Sequence, residues 1–154
     1  MIDVTARARL PIGQLLGRAL RGFRVDLYQR AQAAGYGDIR EAHLQVFGSI
    51  DWTGTRLTEL AARSNMTRPA MAELVDELEL AGYLARGPDP SDGRAKLIRL
   101  TRRGRRVLTK ALRAVDDIER EYAGGIGAQR FDALVSSLQS LLDARSRGST
   151  ERRR

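Results

Sequence analysis

The strongest constraint in this chain is the punctuation of the stretch from Leu57 to Thr101. Leu57, Leu60 and Ala61 share one face at helical spacing, and a polar break follows at Ser64-Asn65-Met66-Thr67. A second helical run, Arg68 to Ala81, carries Met71, Leu74, Val75 and Leu78 on one stripe and closes at Gly82. Thr67 is a good N-cap, Pro69 sits in the first turn where a missing N–H costs nothing, and Gly82 supplies a left-handed ending. Next comes Gly87-Pro-Asp-Pro-Ser-Asp-Gly93, a dense turn signal, and then Ile98 and Leu100 at the period of a half-buried strand. The order is helix, tight turn, helix, basic hairpin. Such a pair can hold one helix out to a DNA major groove while the ribbon reaches the neighbouring minor groove. The expected fold class is mainly α with a small β-hairpin wing: a winged helix-turn-helix.

The flanking segments are helical. From Ile12 the apolar residues Leu15, Leu16, Leu20, Phe23, Leu27 and Tyr28 mark an amphipathic helix ending near Gly35. Asp38 reads as the cap of a second helix spanning Ile39 to Ile50, and Thr55 as the cap of the helix that begins at Leu57. Thr101 starts a long helix with Val107, Leu108, Leu112, Val115, Ile118 and Tyr122 on its apolar side, broken at Gly124-Gly-Ile-Gly127. A last helix from about Ala128 carries Phe131, Leu134, Val135, Leu138, Leu141 and Leu142. Residues 1 to about 10 read as a loose arm and 146–154 as a disordered tail. The whole is read as one domain, with a DNA-binding lobe at 39–100. The stripes of 12–34 and 101–145 exceed what a small helix-turn-helix can cover, so a second copy of the chain is their expected destination. A symmetric dimer would present two recognition helices to half-sites ~34 Å apart.

Charge points the same way. Across 154 residues, 27 Lys and Arg face 19 Asp and Glu, for a net of +8. Between Leu84 and Arg106 eight basic residues stand against Asp89 and Asp92, a net of +6 concentrated on and after the hairpin. A polyanionic partner suits that balance. With no cysteine and a lone His43, neither disulfides nor a cysteine or histidine metal cluster is expected. No phosphate-cradling loop or Ser-His-Asp grouping suggests an enzyme, and no cofactor is expected. No run approaches the ~20 apolar residues of a membrane span and no signal peptide is read, so a cytoplasmic location is expected.

The order of elements resembles that of the multiple-antibiotic-resistance regulator (MarR) family, over roughly residues 12–145. The likeness is carried by Leu57-Thr-Glu-Leu-Ala61, Leu74-Val-Asp-Glu-Leu78, Gly82-Tyr-Leu-Ala-Arg86 and Asp89-Pro-Ser-Asp-Gly-Arg94 continuing to Leu100-Thr101. It implies a homodimeric regulator of transcription, most often a repressor released from a pseudo-palindromic operator by a small aromatic or phenolic ligand. Dimerisation would run through the terminal helices. Arg94 matches the wing arginine that enters the minor groove, and Asp92 the acid that orients it. An internal hairpin salt bridge is the alternative for that pair.

Other site residues follow from position. Arg86 and Lys96 can reach phosphates from the strand stems. The exposed start of the second helix offers Thr67, Arg68, Pro69, Ala70, Ala72 and Glu73 to a major groove. Arg68 and Thr67 lead that group, although Thr67 serves equally as a cap alone. From Thr67 to Ala81 there is one base against four acids, Glu73, Asp76, Glu77 and Glu79, and acids repel phosphate unless they accept from a cytosine amino group. The resemblance places a ligand pocket where the dimer helices meet the DNA-binding lobe. His43, Phe47 and Trp52 fall near that junction, with core packing as the competing explanation for each. A DNA-binding or DNA-organising protein without any effector is the alternative function.

Overall fold

Gly35 ends the first helix in a computed structural model that describes residues 10–151. Its φ of +87° is the left-handed conformation that glycine adopts freely, and α1 (Ile12–Ala33) stops just ahead of it. No residue of α1 is buried. Beyond Gly35 the chain departs from the single helix expected over 39–50. It makes a 3-10 turn at Glu41–His43 and a one-turn α2 at Leu44–Phe47. Side chains divert it. Asp38, the expected cap, instead accepts hydrogen bonds from the Tyr83 hydroxyl at 2.5 Å and from Arg103 at 2.7 Å. The Arg40 N–H is taken by His43 Nδ1 at 3.1 Å.

A short strand that sequence reading does not anticipate, β1 (Thr55–Arg56), precedes α3 (Leu57–Arg63). Thr55 therefore does not cap α3. It pairs with Ile98 across the sheet, while its hydroxyl receives the Asp51 N–H at 2.8 Å. Asn65, at φ +51°, makes the tight corner into α4 (Arg68–Leu80). β2 (Leu84–Asp89) and β3 (Asp92–Leu100) form the wing, giving an antiparallel sheet in the order β1-β3-β2. The expected seven-residue turn at 87–93 is largely strand, with only Pro90 and Ser91 between the two. Pro88 is accommodated because β2 is an edge strand, where a missing N–H breaks no ladder.

The core packs Met71, Val75 and Leu78 of α4 against Leu60 and Ala61 of α3, Val46 and Phe47 of α2, and Ile98 and Leu100 of β3. The apolar stripe read for α4 is thus the buried one. Tyr83 lies at the centre, fully buried, with Phe47 edge-on to its ring at 6.2 Å. The Arg103 guanidinium covers its other side, 4.2 Å from the ring centroid, and donates to the Ala81 carbonyl at 2.8 Å. Burial, with the adjacent Asp38 carboxylate, pushes the Tyr83 hydroxyl up to about 12. The first turn of α5 (Arg102–Ile126) is seated here. Thr101 caps it, accepting from the Gly104 N–H at 3.1 Å, and Gly104 passes so close to Tyr83 that a Cβ there would stand 2.1 Å from its carbonyl oxygen.

The chain divides into two compact units, one up to Ala114 and one from Val115 onward. In the second, α5 continues through Gly124 and Gly125, and the break falls at Gly127, at φ +93°. Glycine lowers helix propensity without forbidding the conformation, which explains why the run is not interrupted earlier. α6 spans Ala128–Glu151, so helix persists past Arg145, where a disordered tail was expected. Residues 152–154, and all of the expected N-terminal arm except Leu10, lie outside the described residues. No described helix is long and apolar enough to cross a membrane.

Candidate nucleic-acid interface

The start of α4 is shaped as the sequence predicts. The Thr67 hydroxyl accepts from the Ala70 N–H at 3.3 Å, and Pro69 occupies the first turn. Thr67, Arg68, Pro69 and Glu73 are exposed, with Ala70 and Ala72 half-buried beside them. Arg68 is in no ion pair among the described residues. A capped helix end with a free guanidinium and small alanines is open to a close-approaching anionic partner.

The wing is organised by Asp89, a residue that sequence reading leaves without a role of its own. Its side chain is only 6% exposed. One carboxylate oxygen accepts from the Ser91 N–H at 2.8 Å and from the Ser91 hydroxyl at 2.7 Å. The other accepts from Arg56 Nε at 2.7 Å. The two Ser91 donors first, and then the Arg56 guanidinium, hold the carboxyl down to about 2. Arg56 thereby ties the edge of β1 to the wing tip, 33 positions away in sequence. No local pattern marks that pairing.

Asp92 departs from the role that the resemblance implies. Rather than gripping the Arg94 guanidinium, it accepts the Arg94 backbone N–H at 3.1 Å and stands 3.6 Å from Arg56. An aspartate that bonds its own backbone two residues on is a common turn device. It fixes the main chain from which Arg94 projects. The Arg94 side chain is exposed and has no ion-pair partner among the described residues.

Between the start of α4 and the wing lies a groove of ≈ 380 Å³. Arg56, Arg68, Arg86 and Lys96 line it, together with Thr58. Four of the residues singled out by sequence reading or by the fold therefore converge on one positive concavity. Arg94 stands outside it, on the tip.

Arg86 is more constrained than the sequence suggests. It pairs with Glu79 and, at 2.6 Å, with Asp76, both on α4. Those pairs compete with any phosphate for its charge. Two more of the eight basic residues between 84 and 106 are also engaged internally. Arg99 donates to the Pro88 carbonyl at 3.2 Å, and Arg103 joins Asp38. The same pairings relieve the acidity of α4. Asp76 and Glu79 face Arg86, and Glu77 faces Arg40 and His43, which leaves Glu73 as the acid of that helix without an ion pair among the described residues.

Of His43, Phe47 and Trp52, only Phe47 lines the apolar cleft beside this lobe. His43 is buried and points at Glu77, and Trp52 is 47% exposed. Phe47 lines a narrow apolar cleft with Leu27, Tyr36, Ile39, Leu44 and Val107, walled on the other side by small alanines including Ala111 and Ala114. The signal missed in the sequence is Tyr36, set just past the end of α1 and over whose ring Lys110 Nζ lies at 5.2 Å.

Residues 51–96, from the turn before β1 through most of the wing, match the model of the MarR family. The transcriptional regulator HosA of Escherichia coli O111:H- is 23% identical over 108 residues, covering 70% of this chain and 80% of HosA. A MarR-family transcriptional regulator from Rhodococcus sp. RHA1 superposes with a TM-score of 0.69 at 29% identity, over 84% of this chain and 91% of that one. CouR from Rhodococcus jostii RHA1, solved with p-coumaroyl-CoA bound, gives a TM-score of 0.70 at 28% identity, over 92% and 95% of the two chains.

Proposed function

The chain belongs to the MarR family of transcriptional regulators, and from that premise we propose that it is a homodimeric repressor released from its operator by a small, aromatic-bearing ligand. The observation that carries the DNA-binding part is the positive groove between the start of α4 and the wing, with Arg94 free on the tip beside it. Arg68, with Thr67, Pro69, Ala70, Ala72 and Glu73 around it, faces the major groove. Arg94 enters the minor groove, where a narrow A·T-rich segment concentrates negative potential. Lys96 neutralises phosphates between the two, and Arg56 and Arg86, each already paired with acids, do so only as they exchange those partners. Asp92 and Asp89 hold the wing main chain in place.

Dimerisation is supported by what the described helices leave uncovered. On α1, Ile12, Leu15, Leu16 and Leu20 are all more than 40% exposed, and on α6 the same holds for Leu134, Val135 and Leu141. Contiguous apolar faces of this kind need a partner. A second copy supplies one with matching stripes and also doubles the DNA contacts. For the ligand, CouR, with its bound p-coumaroyl-CoA, supports an aromatic-bearing effector, and the cleft at Phe47 and Tyr36 offers aromatic walls. We place the protein with its DNA in the cytoplasm.

Selection of duplexes from a random pool by the intact protein tests this reading. A recovered motif with two-fold symmetry supports it, and recovery of unrelated sequences overturns it.

A further inference from the structure

We propose that the first half of α5 is a polyphosphate-binding face, and that the effector is an apolar acyl or aroyl group carried on a nucleotide, with Lys110 at the junction of its two ends. This deepens, and rests on, the reading of a ligand-released repressor. Along α5 the residues Arg102, Arg105, Arg106, Thr109, Lys110 and Arg113 line a groove of ≈ 680 Å³. Their spacing puts them on one helix face, and from Arg102 to Arg113 they span ~16 Å of axis at ~1.5 Å per residue. Five of the six are cationic, no acid lines the groove, and none of the five is in an ion pair among the described residues. Like charges three and four apart on a helix repel. Bound phosphates relieve that repulsion, and guanidinium groups grip them through paired N–H donors.

The groove is not the DNA surface described above. It opens where β3 ends at Leu100, which pairs with Leu84 at the stem of the hairpin, whereas Asp89 and Asp92 pair at its tip. It also begins beside Arg103, which donates to Ala81 at the C-terminal end of α4. Arg68 lies at the other end of that 13-residue helix, ~20 Å away along its axis.

Lys110 belongs to both this groove and the apolar cleft. Val107, Ala111 and Ala114 of the same helix face the cleft, one strip round from the cations. A single ligand can therefore lay its phosphates on the basic strip and turn its apolar end past Lys110 toward Phe47 and Tyr36, where it must widen a cleft of ≈ 40 Å³ to enter. Neither a bare aromatic acid nor a bare nucleotide uses both halves.

The test uses the full-length dimer, titrated calorimetrically with benzoyl-coenzyme A, coenzyme A and benzoate, and separately with operator DNA over a range of salt. Benzoyl-coenzyme A should bind at least tenfold more tightly than coenzyme A, and benzoate more weakly still. Arg106→Gln with Arg113→Gln should lose at least tenfold in affinity for both coenzyme A probes, with DNA affinity and its salt slope unchanged. Arg105→Gln, on the same exposed face, gives a second and smaller loss. The proposal is overturned if benzoate binds as well as its thioester, or if the double variant binds the thioester as the parent does. It is also overturned if the double variant loses DNA affinity with a shallower salt slope, which would make these cations DNA contacts. Tight thioester binding that leaves the DNA complex intact would uphold the site and refute only ligand release. Release of DNA by benzoate with no thioester binding would do the reverse.

Discussion

His43 Nε2 sits 2.8 Å from Glu77 Oε2, linking the buried turn after α1 to the outer half of α4. Because Nδ1 already accepts the Arg40 N–H at 3.1 Å, the neutral ring carries its proton on Nε2 and donates to Glu77. Arg40 pairs with the same carboxylate. α4 is thus tied to the turn whose Ile39 and Leu44 line the apolar cleft.

Replacing His43 with Leu should leave the Arg40 N–H without its acceptor and cost about 1–3 kcal/mol of stability. The His43 hydrogen bond, followed by Arg40, holds the Glu77 carboxyl below the usual glutamate range. A lowered carboxyl stabilises the fold above that range, and the contribution is lost as pH falls through the lowered value. Carboxyl titration by NMR should place Glu77 below ordinary glutamates in the parent and closer to them in the variant. An unmoved midpoint contradicts the linkage.

Asp89 gives the sharper pH expectation. With its carboxyl held to about 2, the wing tip keeps its Arg56 and Ser91 contacts throughout the range where ordinary aspartates, near about 3.9, become protonated. Its stabilising contribution is full above that range and disappears as pH drops through about 2. Asp89→Asn should disorder the tip and weaken DNA binding severalfold for all sequences alike. A variant with full DNA affinity would show that the tip needs no such anchor.

Much of this architecture is readable from short-range chemistry. Thr67, Pro69 and Gly82 act within one helical turn of themselves, and the stripe of Met71, Leu74, Val75 and Leu78 is a property of one segment, so both appear in the sequence as they do in space. What is not readable depends on distant partners. β1 is two residues long and exists only because β3 pairs with it. Arg56 finds Asp89, and Arg86 finds Asp76 and Glu79, through the fold alone. The cluster of eight bases therefore overstates the charge free for DNA. The punctuation at 87–93 misleads in the other direction, since an edge strand tolerates Pro88 that a central strand would not.

The two arginines proposed to read DNA, Arg68 and Arg94, should fail differently. Arg68→Ala should relax preference at one operator position by about 1–3 kcal/mol. Arg94→Ala should weaken binding to most duplexes and most of all to those with A·T-rich flanks, flattening the salt slope by about 1. Quantitative binding to a panel of single-base operator variants separates the two. A uniform loss for Arg68→Ala would make it a phosphate contact.

Gly104→Ala tests the seat of α5. A Cβ 2.1 Å from the Tyr83 carbonyl oxygen has no room, and overpacking of this kind costs about 1–3 kcal/mol. Thermal unfolding should fall by roughly 2–4 °C for each kcal/mol. An unchanged Tm would mean that the backbone at Tyr83 shifts to admit the methyl group at no cost.

Two copies of one positive surface, each a capped helix end and its wing, are proposed to engage a single duplex together. Sedimentation of the intact protein on its selected operator, with a parallel footprint, measures that directly. Two chains per duplex, protecting half-sites centred ~34 Å apart, is the expected result, and truncation at Gly125 should abolish it. One chain per duplex, or binding indifferent to sequence at low salt, would contradict it.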